Sequence, residues 1–223
     1  MARAAVLFTG GKDSVLALNH AVESGLDVCL VTFTPAEPRF LAHPIEFMEK
    51  QAQAMNLGYC TMKVGEPFRE GYVKAIKTLR DGYDIDLIVT GDIARVEGHP
   101  NWMIECSRDA GVDLMMPLWN QDKISLVRDF LSKGFKAVFS LVKKPWLDGD
   151  WVGRELDEDA LKELVELGES TGLDAAGENG EYHTLVIDGP LFGKRIEIKS
   201  VKTNRHEDYS YMDAGEIILH DRP

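Results

Sequence analysis

Up to about residue 120, short apolar runs alternate with stretches of helical periodicity, and no other feature of the sequence constrains the fold as much. Residues 4–8, 27–33, 59–64, 86–90 and 113–116 read as short buried strands. Between them, residues 15–22 place Val15, Leu18 and Val22 on one helical side. Residues 45–57 read as a helix ending at Gly58, 68–79 as a third helix, and 101–110 as a helix closed by Gly111. Strands that alternate with helices pair in parallel and are covered by those helices. The expected fold is therefore α/β, a doubly wound and mostly parallel sheet. The pattern changes near residue 120, which divides the chain into residues 1–120 and a smaller C-terminal α/β domain, residues 121–223. The second part offers helices over 123–132 (stopped by Gly134) and 157–170. It also offers an alternating strand over 136–142 and strand candidates at 183–187, 195–201 and 216–219. No repeat or low-complexity segment is visible.

The first strand leads straight into Thr9-Gly10-Gly11-Lys12-Asp13-Ser14, and a helix follows. A strand, a glycine turn and a helix N-terminus make an anion site. Without a Cβ, backbone N–H groups can converge on a phosphate, and the helix dipole adds positive potential there. Lys12 supplies a charge and Ser14 a hydroxyl. The Walker A pattern does not fit, because Val6 stands where its first Gly belongs and Asp13 follows Lys12. The dinucleotide fingerprint G-x-G-x-x-G is also absent. The stretch resembles the S-G-G-x-D-S loop of the PP-loop ATP pyrophosphatases, with Thr9 in place of the first Ser. That resemblance implies ATP and cleavage between its α- and β-phosphates. A carboxylate beside a triphosphate is repulsive unless a cation bridges them, so Asp13 implies Mg²⁺.

Composition narrows the class. The chain of 223 residues is 44% hydrophobic, enough for a packed core, and carries a net charge of −12. This acidity, with a pI near 4.9, argues against general nucleic-acid binding. Cys29, Cys60 and Cys106 lie far apart with no C-x-x-C pair, so no zinc or iron–sulfur framework is spelled out. Cys29 and Cys60 fall in apolar runs and read as inert core residues. No signal peptide, transit peptide or membrane-spanning run is evident, and a cytoplasmic location without membrane contact is expected.

A second unusual stretch is Gly177-Glu178-Asn179-Gly180-Glu181-Tyr182-His183-Thr184, just before a strand. Taken alone it is either a polar turn or a substrate site. Glu178 and Glu181 suit Mg²⁺ or an ammonium ion, and His183 suits a carboxylate or proton transfer. The pairing of the two stretches resembles the diphthine–ammonia ligase family, which joins a T/S-G-G-K-D-S loop to a later G-E-x-G-E-Y/F-H-T segment. Intermediate pieces are similar too: Thr90-Gly91-Asp92-Ile93, Pro117-Leu118-Trp119, Lys133-Gly134-Phe135, Trp151-Val152-Gly153-Arg154 and Asp188-Gly189-Pro190-Leu191-Phe192. One departure follows Ile93. Family members often carry a Gln-Arg-type pair there, whereas this chain reads Gly98-His99-Pro100-Asn101-Trp102.

The resemblance implies a reaction. A carboxylate on elongation factor 2, borne by the modified histidine diphthine, becomes an amide at the expense of ATP and ammonium. Adenylation turns a poor leaving oxygen into AMP, and the loop holds the departing pyrophosphate. Lys12, Asp13, Glu178, Glu181 and His183 are the implied catalytic residues. Thr9, Gly10, Gly11, Lys12, Asp13 and Ser14 would hold ATP, with Val31 and Phe33 near adenine and Asp13 on the metal. Gly91 and Asp92 end the fourth strand beside the same crevice. Asp92 is either a ribose or metal contact or a strand-end cap. The segment from Gly177 to Thr184 would bind the acceptor. The other readings are a PP-loop enzyme acting on a different carboxylate or a transfer RNA base, and a non-catalytic adenine-nucleotide module. No glutaminase is recognisable, which favours free ammonium. Residues 34–44 are a candidate docking loop, and a homodimer is compatible with the sequence.

Overall fold

The computed structural model describes residues 2–94 and 101–222. In chain order the elements are β1 (Arg3–Leu7), α1 (Lys12–Glu23), β2 (Asp27–Thr34), α2 (Ile45–Met55), β3 (Tyr59–Lys63) and α3 (Phe68–Tyr83). They continue with β4 (Leu87–Val89), α4 (Trp102–Ala110), β5 (Asp113–Met115), α5 (Lys123–Ser132), β6 (Lys136–Lys143) and α6 (Glu158–Thr171). The remaining strands are β7 (Tyr182–Asp188), β8 (Lys194–Ile198), β9 (Val201–Arg205), β10 (Tyr209–Ala214) and β11 (Ile217–Asp221). Contacts divide the chain into two compact units. The first holds Met1–Thr9, Asp13–Arg39 and Leu57–Asn120, and the second holds Gly10–Lys12, Phe40–Asn56 and Gln121–Pro223.

The first unit is built on a five-stranded sheet in the order β3-β2-β1-β4-β5, with every neighbour parallel. The order reverses at β1. The carboxyl ends of β1 and β4 therefore flank a topological switch point, where open α/β sheets take their ligands. Ala5, Val31 and Ile88 pack on one face against Ile76 and Leu79 of α3 and Cys106 and Ala110 of α4. Their alternates Ala4, Val6, Leu30 and Val89, which point to the other face, have no exposed surface either. Burial on both faces explains why these strands read as continuous apolar runs. Burial also pushes the thiols of Cys29, Cys60 and Cys106 up, and all three are free cysteines.

The second unit carries an antiparallel sheet in the order β7-β6-β10-β9 and a two-stranded sheet of β11 and β8. Several elements differ from their sequence reading. The helix expected to end at Gly58 closes earlier, where Asn56 adopts φ 54° and its N–H returns to Ala52 and Gln53. Helix α3 continues past Leu79 through a polar turn to Asp84, also left-handed at φ 54°. Strand β6 is not alternating: Ala137 to Val142 are all buried, because β6 lies between two neighbours and is covered on both faces. The run expected over 195–201 breaks at Lys199 and Ser200 into the end of β8 and the start of β9. Strand β10 went unread because Tyr209-Ser210-Tyr211 is not an apolar run. It forms by hairpin pairing with β9, closed by His206 N–H donating to Tyr209 O at 2.8 Å. Among the described residues, no helix is long and apolar enough to cross a membrane.

Candidate active site

Strand β1 delivers the chain to the glycine loop, and α1 begins at Lys12. Asp13 thus sits in the first helical turn, where a carboxylate is electrostatically favoured. Thr9 closes the loop by donating from its N–H and its hydroxyl to Ser14 Oγ, at 3.3 and 3.2 Å. Gly91, at the end of β4, presses on the same turn. A Cβ there would stand 2.8 Å from the Asp13 carbonyl carbon and oxygen and 2.9 Å from Ser14 N. Only glycine allows this approach.

Gly10 takes φ +76° and turns its carbonyl inward. That oxygen accepts from Gln51 Nε2 at 2.8 Å and from Val186 N at 2.9 Å. Gln51 Nε2 also donates to Val186 O at 2.7 Å, so one buried amide joins the loop to β7. A trans peptide points its C=O and N–H in opposite directions. The Gly11 N–H is therefore turned to the side away from Gln51 and Val186. Lys12 donates its backbone N–H to Thr184 Oγ1 at 3.1 Å, and its Nζ lies 5.6 Å from the centre of the Tyr182 ring. Lys12 is 6% exposed, more enclosed than a residue at an open crevice. Lys12 and Thr184, one from each of the two stretches singled out in the sequence and 172 positions apart, meet within the second unit.

The later segment is a folded turn. Gly177 takes φ +75° and Gly180 φ +82°. Gly177 N–H donates to Asp174 O at 2.8 Å, and Gly180 N–H to Gly177 O at 3.1 Å. The Glu181 carboxylate, on a residue 1% exposed, points into this turn. It accepts from Asp174 N at 3.0 Å, Asn179 N at 3.0 Å and Asn179 Nδ2 at 3.2 Å. Those contacts make Glu181 the organiser of the turn, whereas Glu178 is half-buried and Asn179 exposed. The Tyr182 hydroxyl donates to Ala175 O at 2.8 Å. Along β7, Tyr182 and Thr184 share the face that meets Lys12, and His183 projects to the other. There His183 Nδ1 lies 3.3 Å from His43 Nε2.

Not every residue implied by the resemblance offers its side chain to a ligand. Val31 has no exposed surface and packs within the core cluster, so any nucleotide contact falls to its backbone. Phe33 packs on that cluster, edge-on to Tyr72 at 5.3 Å between ring centres. Asp92 is capped: its Oδ2 accepts from Thr90 Oγ1 at 3.1 Å and from Asn101 Nδ2 at 3.3 Å. Asn101 also caps α4 through Met103 N at 3.0 Å. Of the departing segment, Gly98, His99 and Pro100 lie outside the described residues. Two residues escaped the sequence reading. Gln51 had a usable signal, a polar residue on the buried stripe Phe47, Met48, Gln51, Ala52, Met55 of α2. His43 had none, because its partner is 140 positions away.

Comparison with known proteins places these features in a family. The family of the diphthamide synthase N-terminal domain matches residues 2–114, and that of the diphthamide synthase C-terminal domain matches residues 122–218. A Schizosaccharomyces pombe protein named diphthine–ammonia ligase is 27% identical over 234 residues, covering 95% of this chain. The chain spans only 37% of that relative's length. A Bos taurus protein of the same name is 25% identical, covering 99% of this chain and 93% of its own. Among solved structures, a Methanocaldococcus jannaschii protein described as a predicted subunit of tRNA methyltransferase superposes with a TM-score of 0.49 and 17% identity. That superposition covers 85% of this chain and 98% of the other. With both of its domains matched in order, the chain belongs to the diphthamide synthase family.

Proposed function

We propose that this protein amidates the diphthine carboxylate of elongation factor 2, using ATP and ammonium and passing through an acyl-adenylate, with release of AMP and pyrophosphate. The observation that carries the reading is the hydrogen bond from Lys12 N–H to Thr184 Oγ1, which joins a phosphate loop to the strand of the acceptor segment. The loop fits a phosphate chain. Its Gly10 carbonyl is drawn back onto Gln51 and Val186, its helix presents an N-terminus, and Lys12 brings a cation. Asp13 fits Mg²⁺ held jointly with phosphate oxygens, a mode that needs only one or two protein carboxylates. Bound there, Mg²⁺ would neutralise the triphosphate. Lys12 and the α1 N-terminus would stabilise charge on the leaving pyrophosphate, and Ser14 with Thr9 would hold the loop closed. Glu178 and His183 would face the acceptor and the ammonium ion, with Glu181 shaping the turn that carries Glu178. The reading assigns residues 1–120 to ATP and 121–223 to the acceptor, in the cytoplasm, with no nucleic acid or membrane involved.

The test is incubation with ATP, ammonium and elongation factor 2 bearing diphthine, following AMP and the mass of the modified peptide. Amidated peptide with AMP in equal amount is expected. Equal AMP release with factor lacking diphthine would reject the named acceptor, and ADP in place of AMP would reject the reaction class.

A further inference from the structure

We propose that His43 is a positioning residue for His183, accepting the His183 Nδ1 proton and so leaving His183 Nε2 with the lone pair that takes a proton from ammonium. This rests on the amidation reading. His43 immediately precedes Pro44, the N-cap of α2, and His183 is the second residue of β7. Their rings meet edge to face, with centres 5.2 Å apart and planes at 87°. At 3.3 Å between His43 Nε2 and His183 Nδ1, one nitrogen donates and the other accepts. Two protons would collide along that line, and two lone pairs would repel. The pair thus shares one proton, and its location decides what His183 presents at its far nitrogen.

The direction follows from the chemistry. Ammonium has no lone pair and cannot attack an acyl carbon. It must first give one proton to a base, and His183 Nε2 can accept only if the imidazole proton sits on Nδ1. The proton moves from NH₄⁺ to Nε2, ammonia's freed pair forms the C–N bond, the bond to AMP breaks, and the second surplus proton on nitrogen leaves with the AMP phosphate. His183 is then an imidazolium whose Nδ1–H still points at the neutral acceptor His43 Nε2. Tyr182 and Thr184 engage Lys12 on one face, and the histidine pair occupies the other.

The experiment combines nitrogen NMR on histidine-labelled protein, in its neutral state and without acceptor, with steady-state kinetics. In the native protein, His183 should show a protonated Nδ1 and a bare Nε2. His43→Ala should release that preference, and kcat should fall by up to about 100-fold, the low end of what a positioned base contributes. The KM for ATP and the rate of ATP–pyrophosphate exchange should stay put. His43→Gln, whose side-chain oxygen can accept from Nδ1–H, should recover most of kcat. A bare Nδ1 on His183 in the native protein would overturn the proposal. So would a His43→Gln variant that melts like the native protein yet is no better than His43→Ala. The NMR result needs no acceptor, so a wrong acceptor assignment shows in the amidation assay and leaves the tautomer intact.

Discussion

Lys12 meets its surroundings with two different groups, an amide tied to Thr184 and an ammonium above Tyr182. Replacing its side chain removes only the second. Lys12→Ala should lower AMP formation by about 100-fold, the scale of one group stabilising charge on a leaving oxyanion. Lys12→Met, which keeps most of the buried stem, should show the same loss with an unchanged melting temperature; full activity in either variant would count against the phosphate-loop assignment. Glu181 makes the opposite case. Glu181→Gln sets an NH₂ group against N–H donors already in place at Asp174 and Asn179. The expected cost is about 1–3 kcal/mol of stability for donors left unsatisfied, measured by urea unfolding. A variant as stable as the parent would show that Glu181 does not organise the turn. Both residue types were legible in the sequence as chemistry-bearing. That the Glu181 carboxylate accepts from its own turn was not, because the letters do not say which way a side chain points.

At the scale of elements, the loop is shaped by what presses on it. Gly91 lies in the first unit against the backbone of Asp13 and Ser14, with no side chain that could yield. Gly91→Ala should therefore shift the start of α1 and raise the KM for ATP by at least about tenfold, equivalent to about 1.4 kcal/mol, while β1 and β4 keep their pairing. An unchanged KM would show that the turn tolerates displacement. The strands and helices of the parallel sheet were readable because burial on both faces writes uninterrupted apolar runs, and because Gly111 and Asn101 punctuate α4. Strand β10 was not readable, since its place is set by pairing with β6 and β9 and not by its own composition. The glycine loop was legible as the turn that joins β1 to α1. Its clamp, Gln51, is held by backbone oxygens from two distant segments and leaves only a polar interruption in an apolar stripe.

At the scale of the molecule, the chain passes into the second unit at Gly10–Lys12 and again at Phe40–Asn56 before entering it for good at Gln121. A fragment of residues 121–223 therefore lacks α2, whose Phe47 and Met48 are at most 1% exposed. It also lacks the Ala54 carbonyl that accepts from Gly193 N at 2.8 Å. Each large apolar side chain lost from a packed site removes about 1.5–3 kcal/mol. The fragment should melt well below the whole chain and bind a hydrophobic dye. A cooperative melt at the temperature of the full protein would instead show that residues 121–223 stand alone.

The bond between the Lys12 amide and Thr184 ties the glycine loop to β7 as one mechanical piece. A nucleotide that draws Gly10–Lys12 toward its phosphates also pulls on β7, and a partner that settles on β7 pulls on the loop. Coupling of this kind is reciprocal: the factor by which ATP tightens the hold on the acceptor equals the factor by which the acceptor tightens the hold on ATP. Titrating each ligand with and without a saturating amount of the other should give two ratios of dissociation constants that agree and exceed one. Thr184→Val, which keeps the shape and removes the acceptor oxygen, should bring both ratios toward one together. The two substrates would then bind as strangers, each still welcome but neither preparing the protein for the other.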